Sequence, residues 1–223
     1  MKVICLDGAP CELFDTNRIT LGPAQRVDVL IEDASQLVEL LEVSSSKALN
    51  AAIFKPISSQ LTSVKNSLSS EPYYAWPDTK NAKKIDVHMQ GGAMGNLSKA
   101  TFEGEERGLR DLALKEAKLW AFNGNIGSYG LILAEIELGE VVVIRAWNDT
   151  AWPHAMHLHG HHFWVDSSEF GVKKRAVLRD TYLMQPGEKA ELVFIANNPG
   201  AWLFHCHMLE HHASGMGGVI YIF

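Results

Sequence analysis

The chain has 223 residues, 47% of them hydrophobic and 21% charged, which is the profile of a globular protein with a core and not of a disordered chain. Its net charge of -6 argues against the broad basic face of a nucleic-acid-binding protein. No apolar run approaches the roughly 18 residues of a membrane span. The N-terminal apolar stretch ends at Asp7 and is too short for the signal-peptide core of about 7–15 residues. Three cysteines are too few for a disulfide framework.

The first predicted elements belong to a weak internal repeat. Residues 19–31 (ITLGPAQRVDVLI) match residues 182–194 (YLMQPGEKAELVF) in a proline turn, a basic residue, an acidic residue and a strand. The aligned pairs are Pro23 with Pro186, Arg26 with Lys189 and Asp28 with Glu191. The repeat predicts two similar units, of which the first, residues 1–43, has only the closing half. Chance similarity at a common strand-entry turn is the alternative.

Residues 44–82 are predicted to connect the two units. Nine serines fall within residues 44–70, prolines continue the irregular composition, and little periodicity is present. The second unit is therefore expected to occupy residues 83–223.

The second unit is predicted to be all-β. Residues 106–119 are its one predicted helix, covering the sheets from the surface. Apolar, β-branched runs separated by Gly, Pro and Asn predict strands at 136–148, 161–165, 190–196, 201–206 and 217–223. Many short strands at near-regular spacing indicate a β-sandwich or barrel.

Histidine placement predicts a metal-binding protein. His88 stands alone and is interpreted as ordinary, while the other nine histidines lie between His154 and His212. Solvated or core histidines have no reason to cluster in this way, whereas imidazole is the commonest metal ligand in proteins.

Two metal centres are predicted from these clusters. Along a strand His205 and His207 face one side and Cys206 the other, so one segment can serve two sites. Thiolate, imidazole and thioether together are typical of a blue-copper site, which predicts the ligands His154, Cys206, His211 and Met216. Four further imidazoles are expected to converge on a second centre: His157, His159, His205 and His207. His161 and His162 exceed what either site needs, and Cys5 and Cys11, free or bridged, receive no role.

The pair HxxHxHG and HCHxxxHxxxGM resembles the C-terminal copper motifs of the multicopper oxidases (laccase, bilirubin oxidase and bacterial cuprous oxidase relatives). AFNG, VVIRAWND, RDT at 179–181 and NPGAW are similar to that family's last domain, and TLGPAQRVDVLI to the end of its middle domain. The resemblance implies a cupredoxin-like Greek-key β-sandwich, with a partial second cupredoxin unit at the N-terminus.

The same resemblance implies an oxidoreductase. A type 1 copper takes electrons from a reducing small molecule or metal ion, and Cys206 with its neighbouring histidines passes them to a trinuclear cluster that reduces dioxygen to water. The implied type 1 ligands are His154, Cys206, His211 and axial Met216; His157 matches type 2, and His159, His205 and His207 match type 3. Relatives of this kind are usually periplasmic or secreted.

The sequence also departs from the family pattern. A complete cluster takes four more histidines from two HxH motifs, and none occurs before His157. The chain alone is therefore expected to be inactive, and a complementary N-terminal chain is the expected partner. Ala155 stands where proline is usual. His212 replaces a glutamate thought to relay protons, for which Glu210 is a weaker substitute.

Two alternatives remain. A type 1 copper electron-transfer or copper-binding cupredoxin without oxidase activity would use the same four ligands but not the extra histidines. A zinc hydrolase is suggested by HLHGHH, which is similar to HxHxDH, although His161 stands where that motif has aspartate and the alternating strand–helix pattern of that fold is missing.

Overall fold

In the computed structural model, residues 1–31, 35–56, 70–127, 129–166 and 177–223 are described. The strands are β1 (Lys2–Leu6), β2 (Ala9–Asp15), β3 (Val27–Leu30), β4 (Val38–Glu42), β5 (Leu49–Phe54), β6 (Lys83–Gly91), β7 (Lys99–Phe102), β8 (Glu105–Gly108), β9 (Trp120–Phe122), β10 (Ile132–Ile136), β11 (Val141–Asn148), β12 (His154–Leu158), β13 (Phe163–Asp166), β14 (Val177–Arg179), β15 (Thr181–Met184), β16 (Lys189–Ile195), β17 (Gly200–Cys206) and β18 (Gly217–Ile222). The helices are α1 (Leu109–Glu116) and α2 (Leu209–Ala213).

Two large sheets form a β-sandwich. One has the strand order β10-β18-β17-β12-β15, and the other β14-β13-β16-β11-β6-β9. Neighbouring strands are antiparallel except for the β10–β18 and β11–β6 pairs, which are parallel. From β11 to β17 the chain passes repeatedly between the two sheets, which is how a Greek-key sandwich is built. Such a fold brings residues far apart in sequence onto neighbouring strands.

Strand β11 shows why these sequences form sandwich strands. Val142, Ile144 and Ala146 face the main core between the two sheets, whereas Val143 packs in a second apolar cluster on the opposite side. This alternation is the two-residue period of a strand. Because both faces of β11 are covered at this point, its sequence reads as a continuous apolar run.

The N-terminal sheet, of order β2-β1-β3, packs beside the six-stranded sheet. Ala9 is fully buried against Trp164 and Leu178, and Val177 packs against the cluster that contains Val3 and Leu6. The β4–β5 hairpin buries much less, since most of its residues are exposed. The N-terminal unit is therefore anchored through β1 and β2.

The internal repeat has the same local structure in both copies. Ala24 and Gly187, each directly after the aligned proline, have φ values of 65° and 78°, as in a turn with proline second and a left-handed residue third. In one copy the backbone N–H of Gly22 donates to Gln25 Oε1 at 2.9 Å, and in the other that of Gln185 donates to Glu188 Oε2 at 2.7 Å. Strands β3 and β16 follow. Both copies therefore share the turn and the strand that follows it.

Several element predictions needed correction. The predicted strand 136–148 is interrupted by a turn at 138–139, and the predicted helix begins later, because residues 105–108 form β8. Strand β5 lies within the segment predicted as a connection, 44–82, and pairs with β4; residues 57–69 of that segment lie outside the described residues. Strands β6 and β12 were not predicted. In the part of the chain that the structure describes, neither helix is long and apolar enough to cross a membrane.

Candidate metal centres

Strand pairing brings the two histidine motifs together. In the β12–β17 pair Met156 lies opposite Cys206 and His157 lies opposite His205. Met156 and Cys206 are fully buried in the main core, while His157 is only half-buried. The alternation of side chains therefore places a thiol on one side of the sheet and imidazoles on the other, as predicted from the HCH sequence.

The thiol side holds one compact group of donors. Cys206 Sγ lies 3.6 Å from Nδ1 of His154 and 3.6 Å from Nδ1 of His211, and these two nitrogens are 3.0 Å apart. His154 and Cys206 are completely buried, and His211, on α2, is half-buried. Two imidazoles and a thiol converging from three segments form the kind of site that holds a copper ion.

A buried hydrogen-bond network sets the orientation of His154. The Asn148 amide donates to the main-chain oxygens of Trp152 and Gln185, which turns its Oδ1 toward the Thr150 hydroxyl at 2.7 Å. With its proton given to Asn148, the Thr150 hydroxyl accepts from His154 Nε2 at 2.9 Å. Protonation of Nε2 leaves the Nδ1 lone pair free, and Nδ1 is the atom that faces Cys206 and His211.

Burial keeps these donors neutral in the metal-free protein. It lowers the pKa of His154 to about 3, with a further contribution from His211, and also lowers the pKa of His211. Burial raises the pKa of the Cys206 thiol to about 11. Neutral imidazoles present lone pairs to a metal, and a bound cation would displace the thiol proton.

Apolar side chains close this site to water. The Trp120 ring packs 4.9 Å from the His154 ring and 4.6 Å from the His211 ring, measured between centroids. Gly215 has a φ of 116°, and a Cβ there would lie 2.4 Å from the Trp120 carbonyl oxygen, so only glycine fits before Met216. Met216 is fully buried, and its carbonyl accepts the Cys206 N–H at 3.1 Å.

The opposite side of β12 and β17 carries a looser histidine cluster. His159 Nε2 lies 3.1 Å from His205 Nε2, and the His157 ring lies 4.9–5.8 Å from the rings of His159, His205 and His207. Burial lowers the pKa of His205 to about 3 and also lowers that of His159, to which neighbouring histidines contribute. His205 Nδ1 donates to the Cys206 carbonyl at 3.0 Å, which leaves a lone pair on Nε2, the atom that faces His159.

The Nδ1 atom of His157 is held by hydrogen bonds. His157 Nδ1 lies 2.9 Å from the Asp180 main-chain oxygen and 2.9 Å from Thr181 Oγ1. A carbonyl oxygen can only accept, so Nδ1 carries the proton and Nε2 keeps its lone pair. Both partners belong to the RDT sequence at 179–181, and the Asp180 carboxylate is in turn paired with Arg26.

The structure thus groups His154, Cys206 and His211 on one side, and His157, His159, His205 and His207 on the other. Met216 lies in the same core as Cys206. His161 and His162 were predicted to lie outside both sites. His161 packs against Trp202, and its Nδ1 lies 3.3 Å from the His159 main-chain oxygen, while His162 Nε2 lies 3.0 Å from the Asp7 main-chain oxygen. His88 pairs with Asp149, and Cys5 and Cys11 are free thiols.

Four neighbours of the sites were missed by the sequence reasoning. His212, left without a role, packs with its ring 4.6 Å from that of His205. Thr150 and Trp120 contact the compact site, and Asp180 reaches His157. Asp180 had a signal in the RDT sequence; Thr150 and Trp120 had none, because they are ordinary residues until the strands pack.

Comparison with known proteins gives consistent matches. The family model described as multicopper oxidase matches residues 105–222. A multicopper oxidase from Mycobacterium tuberculosis is 29% identical over 222 residues, which covers 97% of this chain and 40% of that protein. The L-ascorbate oxidase of Cucurbita pepo is 35% identical over 101 residues, or 38% of this chain and 18% of that protein.

Solved structures match the fold. A laccase-like multicopper oxidase from Ochrobactrum sp. has a TM-score of 0.73 and 21% identity, and covers 100% of this chain and 50% of that chain. A multicopper oxidase from Aquifex aeolicus has a TM-score of 0.70 and 20% identity over 99% of this chain and 49% of its own. The chain therefore spans about half the length of these structures and 40% of the mycobacterial relative.

Proposed function

The chain belongs to the multicopper oxidase family, and on that premise we propose that it is the copper-binding C-terminal part of an oxidase with a type 1 copper site and half of a trinuclear site. The observation that carries this proposal is the convergence of two imidazoles and a thiol within 3.6 Å of one another, with His154 and Cys206 fully buried, back to back with four imidazoles. A sandwich needs neither feature for its stability.

Four residues would hold the type 1 copper: His154 and His211 through their imidazoles, Cys206 through its thiolate and Met216 through its thioether. The Thr150 hydroxyl keeps the Nδ1 lone pair of His154 directed at the site, and Trp120 shields the two imidazoles from water. Met216 lies five residues after His211, and the Met216 N–H donates to the His211 carbonyl at 3.0 Å, which closes the loop on the site. Two imidazoles, a thiolate and a thioether match the preference of copper for mixed nitrogen and sulfur ligands.

Half of the second site would come from His157 (type 2) and from His159, His205 and His207 (type 3). The protonated Nδ1 of His157 and that of His205 each donate to a main-chain oxygen, so their Nε2 atoms are the available ligands. When bound, copper would supply one-electron acceptance from a reducing substrate at the first site and reduction of dioxygen to water at the second.

The peptide segment His205–His207 connects the two sites covalently and would carry electrons between them. Cys206 belongs to the first set, and its covalent neighbours His205 and His207 belong to the second. The hydrogen bond of 3.0 Å from His205 Nδ1 to the Cys206 carbonyl adds a second link. The contiguous HCH sequence therefore joins the two sites through a few bonds.

We infer that the partner is a polypeptide which completes the N-terminal unit. Strands β4 and β5 leave Leu40, Leu41, Leu49, Ile53 and Phe54 each about half exposed. Large apolar side chains left exposed in this number on one hairpin usually mark an interaction site. Since this chain spans 40–50% of its relatives, the remaining part of such an oxidase is the occupant with matching chemistry.

Copper loading tests the proposal directly. The full chain titrated with copper under anaerobic conditions should develop an intense thiolate-to-copper absorption band near the stoichiometry of one ion. Cys206→Ser should abolish the band and leave the far-ultraviolet circular dichroism unchanged. Cys11→Ser is the matched control, because Cys11 is also a buried free thiol but lies in the N-terminal sheet, and it should retain the band.

Oxygen consumption separates the alternatives. Turnover of a phenolic substrate by the chain alone would contradict the half-cluster proposal. One firmly bound copper with reversible reduction and no oxygen uptake in any combination with a complementary chain would favour the electron-transfer cupredoxin, which the self-contained His154–Cys206–His211 site supports. A colourless protein that retains zinc over copper would overturn both.

A further inference from the structure

We propose that Arg26, from the N-terminal unit, is a positioning residue that fixes the orientation of His157 through Asp180. The inference deepens the proposed function of the histidine cluster and rests on it. It makes the N-terminal unit part of the architecture of the second metal site, although that unit carries none of the predicted ligands.

The Arg26 guanidinium forms a bidentate ion pair with both carboxylate oxygens of Asp180. Nη1 lies 3.1 Å from Oδ1 and Nη2 lies 2.7 Å from Oδ2, the two-pronged arrangement that arginine forms with a carboxylate. Two main-chain oxygens also bind the same guanidinium: Nη1 donates to the Ala24 carbonyl at 2.8 Å and Nη2 to the Asp7 carbonyl at 2.7 Å. Four contacts leave the fork little freedom to rotate.

Asp180 transmits this orientation to His157. Its carboxylate oxygen Oδ1 accepts the Thr181 hydroxyl proton at 2.7 Å, which turns the hydroxyl oxygen's lone pairs toward His157 Nδ1. The Asp180 main-chain oxygen accepts from the same nitrogen. A fixed Asp180 therefore fixes both acceptors of the imidazole N–H, and with them the tautomer that leaves Nε2 as a ligand.

Asp7 completes the attachment between the units. It is fully buried, and its Oδ1 accepts the Arg26 backbone N–H at 2.8 Å. Its Oδ2 accepts the Thr181 backbone N–H at 3.4 Å and lies 3.5 Å from Arg179 Nη1. One buried carboxylate thus ties the backbone of Arg26 to the backbone of the RDT corner.

The repeat sharpens the argument for arginine. The residue aligned with Arg26 in the second copy is Lys189, whose ammonium lies over the Trp147 ring at 4.9 Å on the sheet surface. A compact ammonium cannot hold two carboxylate oxygens in one plane, whereas a guanidinium can. Both copies of the repeat have a basic residue at this position. The copy whose basic residue lies next to the histidine cluster has arginine, with its planar guanidinium.

The test measures His157 directly. The copper-free full chain, labelled with ¹⁵N-histidine, should show His157 as a single Nδ1–H tautomer in long-range proton–nitrogen spectra at pH 7.5. Arg26→Gln should give mixed tautomers for His157 alone. Arg107→Gln is the matched control: Arg107 also pairs with two carboxylates, Asp111 and Glu116 of α1, neither of which contacts His157 in the described structure, and its loss should leave His157 unchanged.

Copper binding supplies a second readout. Arg26→Gln should weaken the non-blue class of bound copper, seen by electron paramagnetic resonance, by about 10–100-fold, and leave the blue band intact. Arg26→Lys should restore less than half of that loss. An unchanged His157 tautomer and unchanged non-blue copper affinity in folded Arg26→Gln would overturn the proposal.

Two further outcomes are distinguishable. If the wild-type chain binds no non-blue copper, the proposed function of the cluster fails, while the tautomer measurement still decides the role of Arg26. If Arg26→Gln does not fold, Asp180→Asn breaks the same link from the other end. A single unchanged His157 tautomer in that variant would equally overturn the proposal.

Discussion

The two histidine sets lie on opposite sides of the same pair of strands, yet they are built differently. In the compact set, the donors of His154, Cys206 and His211 lie within 3.6 Å of each other. In the looser set, the Nε2 atoms of His159 and His205 are 3.1 Å apart, but no three donor atoms of its described residues lie within 4.8 Å of one another. The difference shows that strand alternation distributes ligands between two sites but does not by itself set how tightly each site is organised.

The supports of the two sets differ as well. His154 is held by Thr150 and Asn148, which belong to the same β11–β12 connection and strand. His157 is held by Asp180, which depends on Arg26 some 150 residues earlier in the chain. One site is therefore organised by its own sandwich, and the other by the packing of two units.

Among the substitutions that compare the two sets, Gly215→Ala should have the largest effect on stability and on the compact site. The new Cβ would meet the Trp120 carbonyl at 2.4 Å with φ at 116°, so we expect a loss of more than ~3 kcal/mol in the free energy of unfolding and loss of the blue band. Chemical denaturation and absorption spectra measure both. Gly130→Ala, where a Cβ meets nothing within 4 Å, is the control, and equal effects at the two glycines would contradict the argument.

Acid should destabilise the copper-free protein through both sets. The pKa values of His154 and His205 are lowered to about 3 by burial, so between about pH 6.5 and 3 the unfolded chain binds more protons than the folded one. The contribution of each imidazole to the free energy of unfolding is therefore present in full above pH 6.5. It decreases as the pH is lowered, by on the order of 3 kcal/mol for a buried imidazole. Denaturant titrations from pH 7.5 to 4 should show this slope, His154→Gln should reduce it, and a flat profile would contradict the burial of neutral imidazoles.

Removing one hydroxyl from each support compares the sets directly. Thr150→Val takes away the one polar partner that His154 Nε2 has among the described residues, and we expect copper affinity at the blue site to fall about 10–100-fold. Thr181→Val leaves the Asp180 carbonyl on His157 Nδ1, so its effect on non-blue copper should be smaller. Copper titrations by absorption and paramagnetic resonance measure the two losses. The reverse order would mean that the sandwich does not organise His154 better than His157.

Met216→Leu should change the compact site without opening it. Leucine is apolar and close in volume, so the fold should persist, while loss of the thioether should raise the reduction potential of the blue copper. Potentiometric titration followed at the blue band measures the shift. Met156→Leu, in the same core on the neighbouring strand, serves as the control, and a potential unchanged in Met216→Leu would show that Met216 is not axial.

The smallest effect is expected at the apolar surface of the N-terminal unit. Leu40→Lys with Leu41→Lys places charges at two positions that are 48% and 47% exposed, so the free energy of unfolding should change by less than about 0.5 kcal/mol per site. Binding of a hydrophobic dye and association at high concentration, seen by light scattering, should decrease. A large loss of stability would show that this surface is already covered within the chain.

Particular residues show how far the sequence could be interpreted. The spacing of HCH and HxxHxH predicted which donors share a side, and strand pairing confirmed that arrangement for Cys206 and His205. The family was predicted correctly from those motifs, and the all-β fold from the short apolar runs at near-regular spacing. The helix start and the break in the strand 136–148 were wrong, because a Gly-containing turn at 138–139 and the short strand at 105–108 depend on neighbouring strands and not on apolar periodicity.

The sequence by itself determined the kinds of ligands, their alternation along β17 and the repeated turn before β3 and β16, since these follow from local spacing and backbone geometry. Only the tertiary structure decided that Thr150 orients His154, that Trp120 covers the compact site and that Arg26 reaches Asp180. Those contacts join segments up to about 150 residues apart, and they exist only once two sheets and the N-terminal unit have packed together. An arginine in a turn or a threonine after a strand carries no sign of a metal site until packing gives it a partner.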